Sequence, residues 1–451
     1  MLIEKDLQLD FLLDIMLYYA MCMQRPLSFG SLRKILSEHF LSLSDHRDTD
    51  AVNYSLHDVL MSGFAMMFFQ DRSLLQFQRR LEDEIQQNNL RSLFNVEAIP
   101  KDTQMRDVTD EIDPCELEPL FDDFFRLLQR GKRLESYRIL GDYYLITIDA
   151  SGYFSSTKIY CEGCLRKESK NGVVRYEHQI LQAALMKPGK SQVIPLAPEE
   201  IRNTDGHKKQ DCEINAGKRL LKKIRNSHFK LKIIINGDSL YSKQPFIEEL
   251  KEARMSYILV AKPGDHKILM EWIGEQRQLN EVSRVEIKDQ KNRLHIFEWI
   301  NDVPLNGNED TPLVNYFEYW LQYDGKTTYH NSWVTDIAIE EKNIVELVKA
   351  GRCKWKIENE TFNTLKNQGY HIEHNFGHGK KHLSYNFFLL NLLAFYMHQI
   401  FELSDRLYQK CRKAFSSKEE YWNNLRSAIR FLIFPDWETL LHRVLKPSEF
   451  L

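Results

Sequence analysis

Hydrophobic residues recur along this chain with two different spacings, and the change of spacing separates two kinds of structure. In YSLHDVLMSGFAMMFF (54–69) and LEPLFDDFFRLLQR (117–130) they return every three or four positions, which predicts amphipathic helices. From residue 143 onwards, short apolar runs alternate with turn-forming residues, a pattern that is typical of strands. We therefore expect a helical N-terminal region, in which no helix-turn-helix signature stands out, followed by mixed α/β structure.

The second region has an interpretable order of elements. We expect three strands (143–149, 154–161 and one between 180 and 198), a helix (212–226), a strand (230–238), a helix (246–254) and a strand (256–262). This gives the order β-β-β-α-β-α-β. Four β-like segments joined by polar turns then break the alternation, and a helix over roughly 340–368 resumes it.

These elements predict an α/β fold in which a mixed sheet flanked by helices is interrupted by a β-rich insertion. Helical regions are expected at both ends of the chain. The divisions are a helical N-terminal region that could bind DNA (1–136), the first part of a core (137–280), the insertion (281–338), the second part of the core (339–405) and a helical C-terminal region (406–451).

Two aspartates stand at the ends of predicted strands. Asp149 closes the apolar run 145–148, and Asp238 follows the run 233–237. In a β-β-β-α-β arrangement the first and fourth strands commonly lie side by side, so we expect the two carboxylates to meet at one rim of the sheet. Each aspartate alone could instead cap a turn or a following helix, but the matched pair favours a shared site.

A third acid lies on the last predicted helix of the core. At 100° per residue, Glu358 falls in the middle of an apolar arc that includes Trp355 and Phe362, whereas Glu360 falls on the polar side. A carboxylate on a buried face is costly unless it is paired or binds a metal. Two explanations stay open for Glu358, a metal ligand and a salt bridge to Lys354 four residues earlier.

Carboxylates gathered at one sheet edge are hard oxygen ligands of the kind that Mg²⁺ and Mn²⁺ prefer. Two such ions about 4 Å apart can assist in-line displacement at phosphorus. The sequence has no P-loop and no Gly-x-Gly-x-x-Gly after a strand, so we expect no nucleotide cofactor. Asp149, Asp238 and Glu358 are therefore the candidate catalytic residues and the candidate ligands of two Mg²⁺ or Mn²⁺ ions.

Three segments resemble a known family: ITIDASGYFSS (146–156), IIINGDSLYSKQPFI (233–247) and KWKIENETFNTLKNQGYHIEHNFGHG (354–379). From about residue 50 to 400 the chain resembles bacterial insertion-sequence transposases of the DDE type, in the insertion-sequence-four-like group. The third segment is the most specific, because Trp-x-Ile-Glu on a helix is characteristic of that group's catalytic glutamate.

The resemblance implies an RNase H-like catalytic domain with a β insertion before the last acid. It also implies an enzyme that cuts double-stranded DNA at the terminal inverted repeats of a transposon and joins those ends to target DNA, acting as a homodimer. The chain departs from the group's pattern where Gly351 replaces a usual Tyr, Lys354 a usual Arg and Leu365 a usual Lys, with Lys366 one place later.

The candidate DNA contacts are Lys354, Lys366, His378 and Lys380. The last two lie in YHIEHNFGHGKK (370–381), where a glycine precedes and follows His378 and lets the backbone approach a phosphate closely. For this segment a histidine metal site and a plain connecting turn stay open as alternatives.

Cys161 and Cys164 form a Cys-x-x-Cys, with His178 and Cys212 further along the chain. Four such side chains could hold a structural Zn²⁺ ion. Their spacing is irregular, so buried or simply reduced thiols are the alternative.

Composition adds constraints on location and partners. Seven cysteines scattered over 451 residues argue against a disulfide framework and for a reducing compartment. The N-terminal residues are too charged for a signal peptide, and the apolar stretch 383–403 is interrupted by polar residues, so we expect a cytoplasmic protein without a membrane span. A net charge of −3 is unusual for a nucleic-acid binder, although basic runs such as 219–232 could form a local path for a phosphate backbone.

Two other functions stay open on the sequence. One is a catalytically inactive or domesticated transposase relative that acts as a DNA-binding protein. The other is a zinc-stabilised scaffold for protein interactions.

Overall fold

The computed structural model describes residues 26–45, 47, 52–81, 83–203 and 212–446. By their contacts these residues form two compact units. Unit 1 comprises the residues up to Leu134, Tyr153–Glu162 and the residues from Thr364 onwards, and unit 2 comprises Glu135–Gly152 and Gly163–Asn363. The first 25 residues of the predicted N-terminal region and the last five of the C-terminal region lie outside the described residues.

The helices fall mostly where the hydrophobic spacing predicts them. They are α1 (Phe29–Ser42), α2 (Leu56–Phe68), α3 (Leu74–Leu81), α4 (Glu84–Phe94), α5 (Asp102–Glu111), α6 (Pro119–Arg130), α7 (Glu213–Ser227), α8 (Gln244–Glu252), α9 (Lys267–Gln278), α10 (Ile344–Arg352), α11 (Lys354–Lys356), α12 (Asn363–Asn367), α13 (Leu383–Ser404), α14 (Arg406–Lys413), α15 (Lys418–Phe431) and α16 (Trp437–Leu445). Short 3₁₀ turns lie at Pro114–Glu116 and Leu134–Tyr137, and a π-helix joins α11 to α12 at Ile357–Phe362. Serine caps begin several helices: Ser28, Ser55 and Ser417 each accept a backbone N–H three residues later.

Helix α13 is the core of unit 1. Within the described residues it is the one helix long and apolar enough to cross a membrane, yet 83% of its apolar window is buried inside the protein. Its polar side chains are bonded internally: Asn386 donates to the carbonyls of Thr109 and Ile112, and His398 shares a 2.7 Å hydrogen bond with Tyr370. These features are those of a core helix, as the sequence predicts.

Unit 2 is built on a mixed sheet of 12 strands. The strands are β1 (Arg138–Ile139), β2 (Tyr143–Ser156), β3 (Leu165–Glu168), β4 (Val174–Met186), β5 (Ile194–Pro195), β6 (Glu199–Ile201), β7 (Lys232–Gly237), β8 (Ser256–Val260), β9 (Ser283–Lys288), β10 (Leu294–Pro304), β11 (Leu313–Tyr323) and β12 (Lys326–Thr335). Their order is β3-β4-β2-β7-β8-β12-β11-β10-β9, with β1 beside β2 and with β5 and β6 beside β4. Strands β2, β7 and β8 are parallel, whereas β8–β12 and the strands that follow pair antiparallel. The predicted α/β class is confirmed.

The predicted second strand at 154–161 is wrong. Strand β2 continues without a break from Tyr143 to Ser156, and the chain turns only afterwards, before β3. The Ser-Gly pair that suggested a turn lies within the strand, where Gly152 faces the backbone carbonyl of His178. A glycine in a strand marks a close backbone neighbour as readily as a turn, which explains the error.

Strands β9 to β12 form the predicted β-rich insertion as a continuous antiparallel meander. Its aromatic residues contribute to the core of unit 2, where Phe317 stacks on the fully buried Trp333 at 5.1 Å. The helix predicted for 340–368 follows the insertion, but it consists of α10, α11, the π-helix and α12 in succession. Single π-helical turns inside helices are frequent at functional sites.

Candidate active site

Strands β2 and β7 carry the two candidate aspartates. Their parallel register pairs Tyr143 with Lys232 and continues to Thr147 with Asn236. Continued by two residues, this register places Asp149 level with Asp238, which directly follows β7. Residues at one level of adjacent strands point to the same face. The expectation that these two strands are neighbours is confirmed.

Each aspartate also makes a local hydrogen bond. The backbone N–H of Leu240 donates to Oδ1 of Asp238 at 2.9 Å, so Asp238 caps the turn after β7. The N–H of Ala150 donates to Oδ1 of Asp149 at 3.2 Å. Asp238 therefore has the capping role that the sequence left open. The bond from Leu240 orients the carboxylate of Asp238 through Oδ1 and does not involve Oδ2.

Lys354 pairs with Asp149. Its Nζ lies 2.6 Å from Oδ2 of Asp149, and both side chains are 19% exposed. The salt bridge from Lys354 to Glu358, which the sequence left open, is therefore replaced by one to Asp149. Nearby, the buried Asn236 donates from Nδ2 to the carbonyl of Ala350 at 3.0 Å. These two bonds fix the helical segment α10–α11 against the ends of β2 and β7.

Gly351 permits a second close approach at this helix. A Cβ at residue 351 would lie 2.8 Å from the indole ring of Trp333, which is fully buried. Trp333, from β12, therefore fills the space beside the helix. This contact gives a physical reason for glycine at residue 351, because a larger side chain would collide with the indole.

The predicted burial of Glu358 is wrong. Glu358 is exposed, and so is Trp355, whereas the buried residues from 354 to 362 are Lys356, Ile357, Thr361 and Phe362. A fixed 100° step assumes an α-helix throughout, whereas Ile357–Phe362 is a π-helix with a wider turn. Among the described residues the carboxylate of Glu358 has no ion-pair partner, and it stands four residues after Lys354 on the same helical segment.

Sequence reasoning missed a fourth carboxylate, that of Glu213 at the start of α7. Tyr241 donates a 2.6 Å hydrogen bond to Oε1 of Glu213. Burial raises the pKa of Glu213, and the negative charges of Asp238 and Asp149 raise it further. Glu213 therefore belongs to the same acidic rim. Its position at the first residue of the helix that leads into β7 was the available signal.

The ring of Tyr241 is held between two glycines. A Cβ on Gly237, at the end of β7, would lie 2.9 Å from the ring, and one on Gly217, in α7, would lie 3.3 Å from it. Tyr241 itself is fully buried. Small residues on both sides thus let the phenol reach Glu213 and fix where that carboxylate points.

Two of the four candidate DNA contacts already have acidic partners. Lys354 pairs with Asp149, and Lys366 pairs with Glu373 at 3.0 Å. The ring of His378 packs against that of Phe154, with centroids 4.4 Å apart and the planes tilted by 38°. Lys380 has an exposed side chain.

The segment around Lys380 is a fixed turn. Asp110, in α5, accepts backbone N–H bonds of 2.8–3.0 Å from four consecutive residues, Lys380 to Leu383. Gly379 has a φ of +68°, and a Cβ there would overlap the carboxylate of Asp110. The backbone of this segment therefore forms a connecting turn, one of the alternatives that the sequence left open. The turn exposes the side chain of Lys380.

Within unit 2, the thiol sulfur of Cys164 lies 3.4 Å from Nε2 of His178, and both residues are buried. Two members of the predicted zinc set, Cys164 and His178, are thus in contact, and Cys212 is an exposed residue that precedes α7. The zinc ion itself stays a prediction.

No protein-family model matches the chain, and no curated protein matches its sequence significantly.

Proposed function

We propose that this chain is a metal-dependent DNA transposase in which Asp149, Asp238 and Glu358 bind two Mg²⁺ or Mn²⁺ ions. The observation that carries the proposal is the placement of two aspartates level with each other on the parallel strands β2 and β7. An RNase H-like identity of the sheet belongs to the same proposal. It rests on the order of the elements and on the insertion before the helix of Glu358.

The side chains at the rim fit divalent cations. Asp149 already holds the ammonium group of Lys354, and Glu213 adds a third negative charge beside the two aspartates. Glu358 is exposed and unpaired within the described residues, so no ion pair holds its carboxylate away from the rim. Mg²⁺ or Mn²⁺ bound there would stabilise charge during in-line displacement at phosphorus.

The protein's own residues have separate tasks in this proposal. Asp149 and Asp238 would bind the metal ions and orient them. Lys354 neutralises Asp149 in the free protein until a metal ion or a DNA phosphate binds there. Lys366, His378 and Lys380 are the other proposed DNA contacts, with Lys380 presented by the turn that Asp110 fixes. The partner is double-stranded DNA, namely transposon ends and target, bound by a homodimer in the cytoplasm.

A second candidate function is that of a catalytically inactive or domesticated relative that binds DNA. Two observations favour it: the outward position of Glu358, and the loss of the usual tyrosine at Gly351. Both candidate functions predict that the protein binds DNA, but only the transposase predicts that it cleaves DNA.

Cleavage of DNA that carries the element's own ends, incubated with the full chain and Mg²⁺ or Mn²⁺, separates the two candidates. We expect metal-dependent nicking that Asp149→Ala and Glu358→Gln abolish. Asp142→Ala is the matched control, because Asp142 is an exposed aspartate of the same unit. DNA binding without nicking by the unaltered chain would reject the enzyme and support the inactive relative.

A further inference from the structure

Strand β9 (Ser283–Lys288) lies at an edge of the sheet of unit 2. Within the described residues it pairs with β10 alone, and the order of strands in the sheet ends with it. Most of its side chains are exposed, and Ile287 is 43% exposed. An open strand edge presents unpaired N–H and C=O groups to which another strand can bind. This edge is therefore a candidate docking surface.

The hairpin after β9 shows which backbone groups point away from β10. The N–H of Asp289 donates to the carbonyl of Arg293 at 2.9 Å, so these two residues form a hydrogen-bonded pair. Hydrogen-bonded and non-hydrogen-bonded pairs alternate along an antiparallel ladder. The backbone groups of Val285 and Ile287 therefore face β10. The residues of β9 that direct their N–H and C=O groups outwards are Arg284, Glu286 and Lys288.

These three outward residues alternate in charge along one face of the sheet. Arg284 and Glu286 form an ion pair within the strand, and their side chains are 48% and 46% exposed. Charged residues on an edge strand usually prevent pairing with another strand. Alternating charges do so only in some registers. A two-fold arrangement centred on Glu286 sets glutamate against glutamate, whereas one centred on Val285 sets each Arg284 opposite Glu286 of the second copy.

The other face of the strand is apolar in the same register. Val285 packs against the core of unit 2, and it would lie opposite Val285 of the second copy, as a pair of β-branched residues. An arrangement centred on Ile287 also pairs opposite charges, Glu286 with Lys288. It overlaps fewer residues, because β9 ends at Lys288. The sequence of β9 thus favours the register centred on Val285.

We propose that β9 pairs antiparallel with β9 of a second copy of this chain, about a two-fold axis at Val285. The pairing gives partners to the outward backbone groups and joins the two sheets into one. A strand of 6 residues forms a small interface, so we expect weak association that depends on concentration. This interface forms without DNA and does not rest on the proposed transposase activity, which DNA cleavage tests separately.

Sedimentation velocity of the full chain without DNA, from about 1 to 100 μM, tests the proposal in the range expected of a small interface. We expect an equilibrium between monomer and dimer in the unaltered chain. Glu286→Pro should weaken it by more than about tenfold, because proline removes an outward N–H and leaves the ladder with β10 intact. A chain that stays monomeric throughout this range would overturn the proposal.

Glu168→Pro is the matched control. Glu168 lies in β3, at the other edge of the same sheet, and it pairs with Arg166 as Glu286 pairs with Arg284. Its N–H also faces away from its neighbour β4, because the adjacent Ser169 forms a hydrogen-bonded pair with Val173. The control should leave the dissociation constant within about twofold. Dimerisation that resists Glu286→Pro, or that both substitutions weaken equally, would reject β9 as the interface.

Charge reversal tests the register. Arg284→Glu and Glu286→Arg each set like charges opposite each other in a dimer of identical chains, so each should weaken dimerisation by more than about tenfold. Mixed in equal amounts, the two variants should form a heterodimer with a dissociation constant within about threefold of that of the unaltered chain, because every opposing pair again has opposite signs. A mixture that stays monomeric, although both variants unfold in urea like the unaltered chain, would overturn the register.

Discussion

The ion pair between Lys354 and Asp149 should oppose metal binding. Its ammonium group lies 2.6 Å from an oxygen that the proposed function assigns to a metal. A divalent cation at Asp149 must therefore displace Lys354 first. Lys354→Gln removes the competing charge, and we expect it to tighten the binding of Mn²⁺ to the DNA-free protein.

The magnitude follows from the geometry and exposure of the pair. Two unit charges 2.6 Å apart attract by about 1.6 kcal/mol in a water-like dielectric. Exposed pairs measured by double-mutant cycles contribute about 1 kcal/mol or less, and these side chains are only 19% exposed. We take about 1 kcal/mol, which corresponds to roughly fivefold tighter binding of Mn²⁺, since 1.4 kcal/mol is tenfold.

Isothermal titration of the full chain with Mn²⁺, without DNA, measures the effect. Lys342→Gln is the matched control, because Lys342 is 78% exposed and pairs with Glu340 at the surface of the same unit. The control should leave the dissociation constant within about twofold, as expected for a solvent-exposed pair. Addition of Asp149→Asn to Lys354→Gln should abolish the gain. Unchanged or weaker Mn²⁺ binding by Lys354→Gln would refute the competition between ammonium and metal.

Three further predictions concern stability. Gly351→Ala should lower the free energy of unfolding by about 1–3 kcal/mol, because its Cβ collides with Trp333. In a double-mutant cycle measured by urea unfolding, Trp333→Phe should reduce that loss. Equal losses in both backgrounds would contradict the collision. Burial lowers the pKa of His266 to about 4. The contribution of this neutral histidine to the free energy of unfolding should therefore be fully present above pH 6.5 and fall by about 3 kcal/mol as the pH drops to 4. Unfolding measured at several pH values should show that His266→Asn flattens this profile. Gly379→Ala places a Cβ on a left-handed residue against Asp110, and it should lower the free energy of unfolding by about 1–3 kcal/mol. The amides that Asp110 accepts should then exchange hydrogen faster. Unaltered exchange would contradict the fixed turn.

The strands that lead to the two candidate aspartates were predicted well from the sequence, whereas the separate strand at 154–161 does not exist. The apolar runs that end at Asp149 and Asp238 predicted two strands, because apolar residues followed by a turn signal mark both a strand and its end. These two strands are neighbours in the sheet. The insertion over β9–β12 was equally accessible, since polar turns separate its strands.

The failures have different physical causes. A glycine inside β2 was taken for a turn, and spacing in sequence was converted into direction with an ideal geometry. Glu358 was placed among buried residues by a wheel that assumes an α-helix throughout, whereas Ile357–Phe362 is π-helical. Glu213 was not grouped with the aspartates, because that grouping depends on tertiary packing. No local pattern encodes such distances.

The turn that Asp110 holds has a consequence for affinity. Fixing the backbone of one residue costs about 1–2 kcal/mol in conformational entropy. Four successive amides around Lys380 are already immobilised by a single carboxylate in the free protein. A phosphate that meets Lys380 would therefore find a preorganised surface, and association need not order this stretch of backbone.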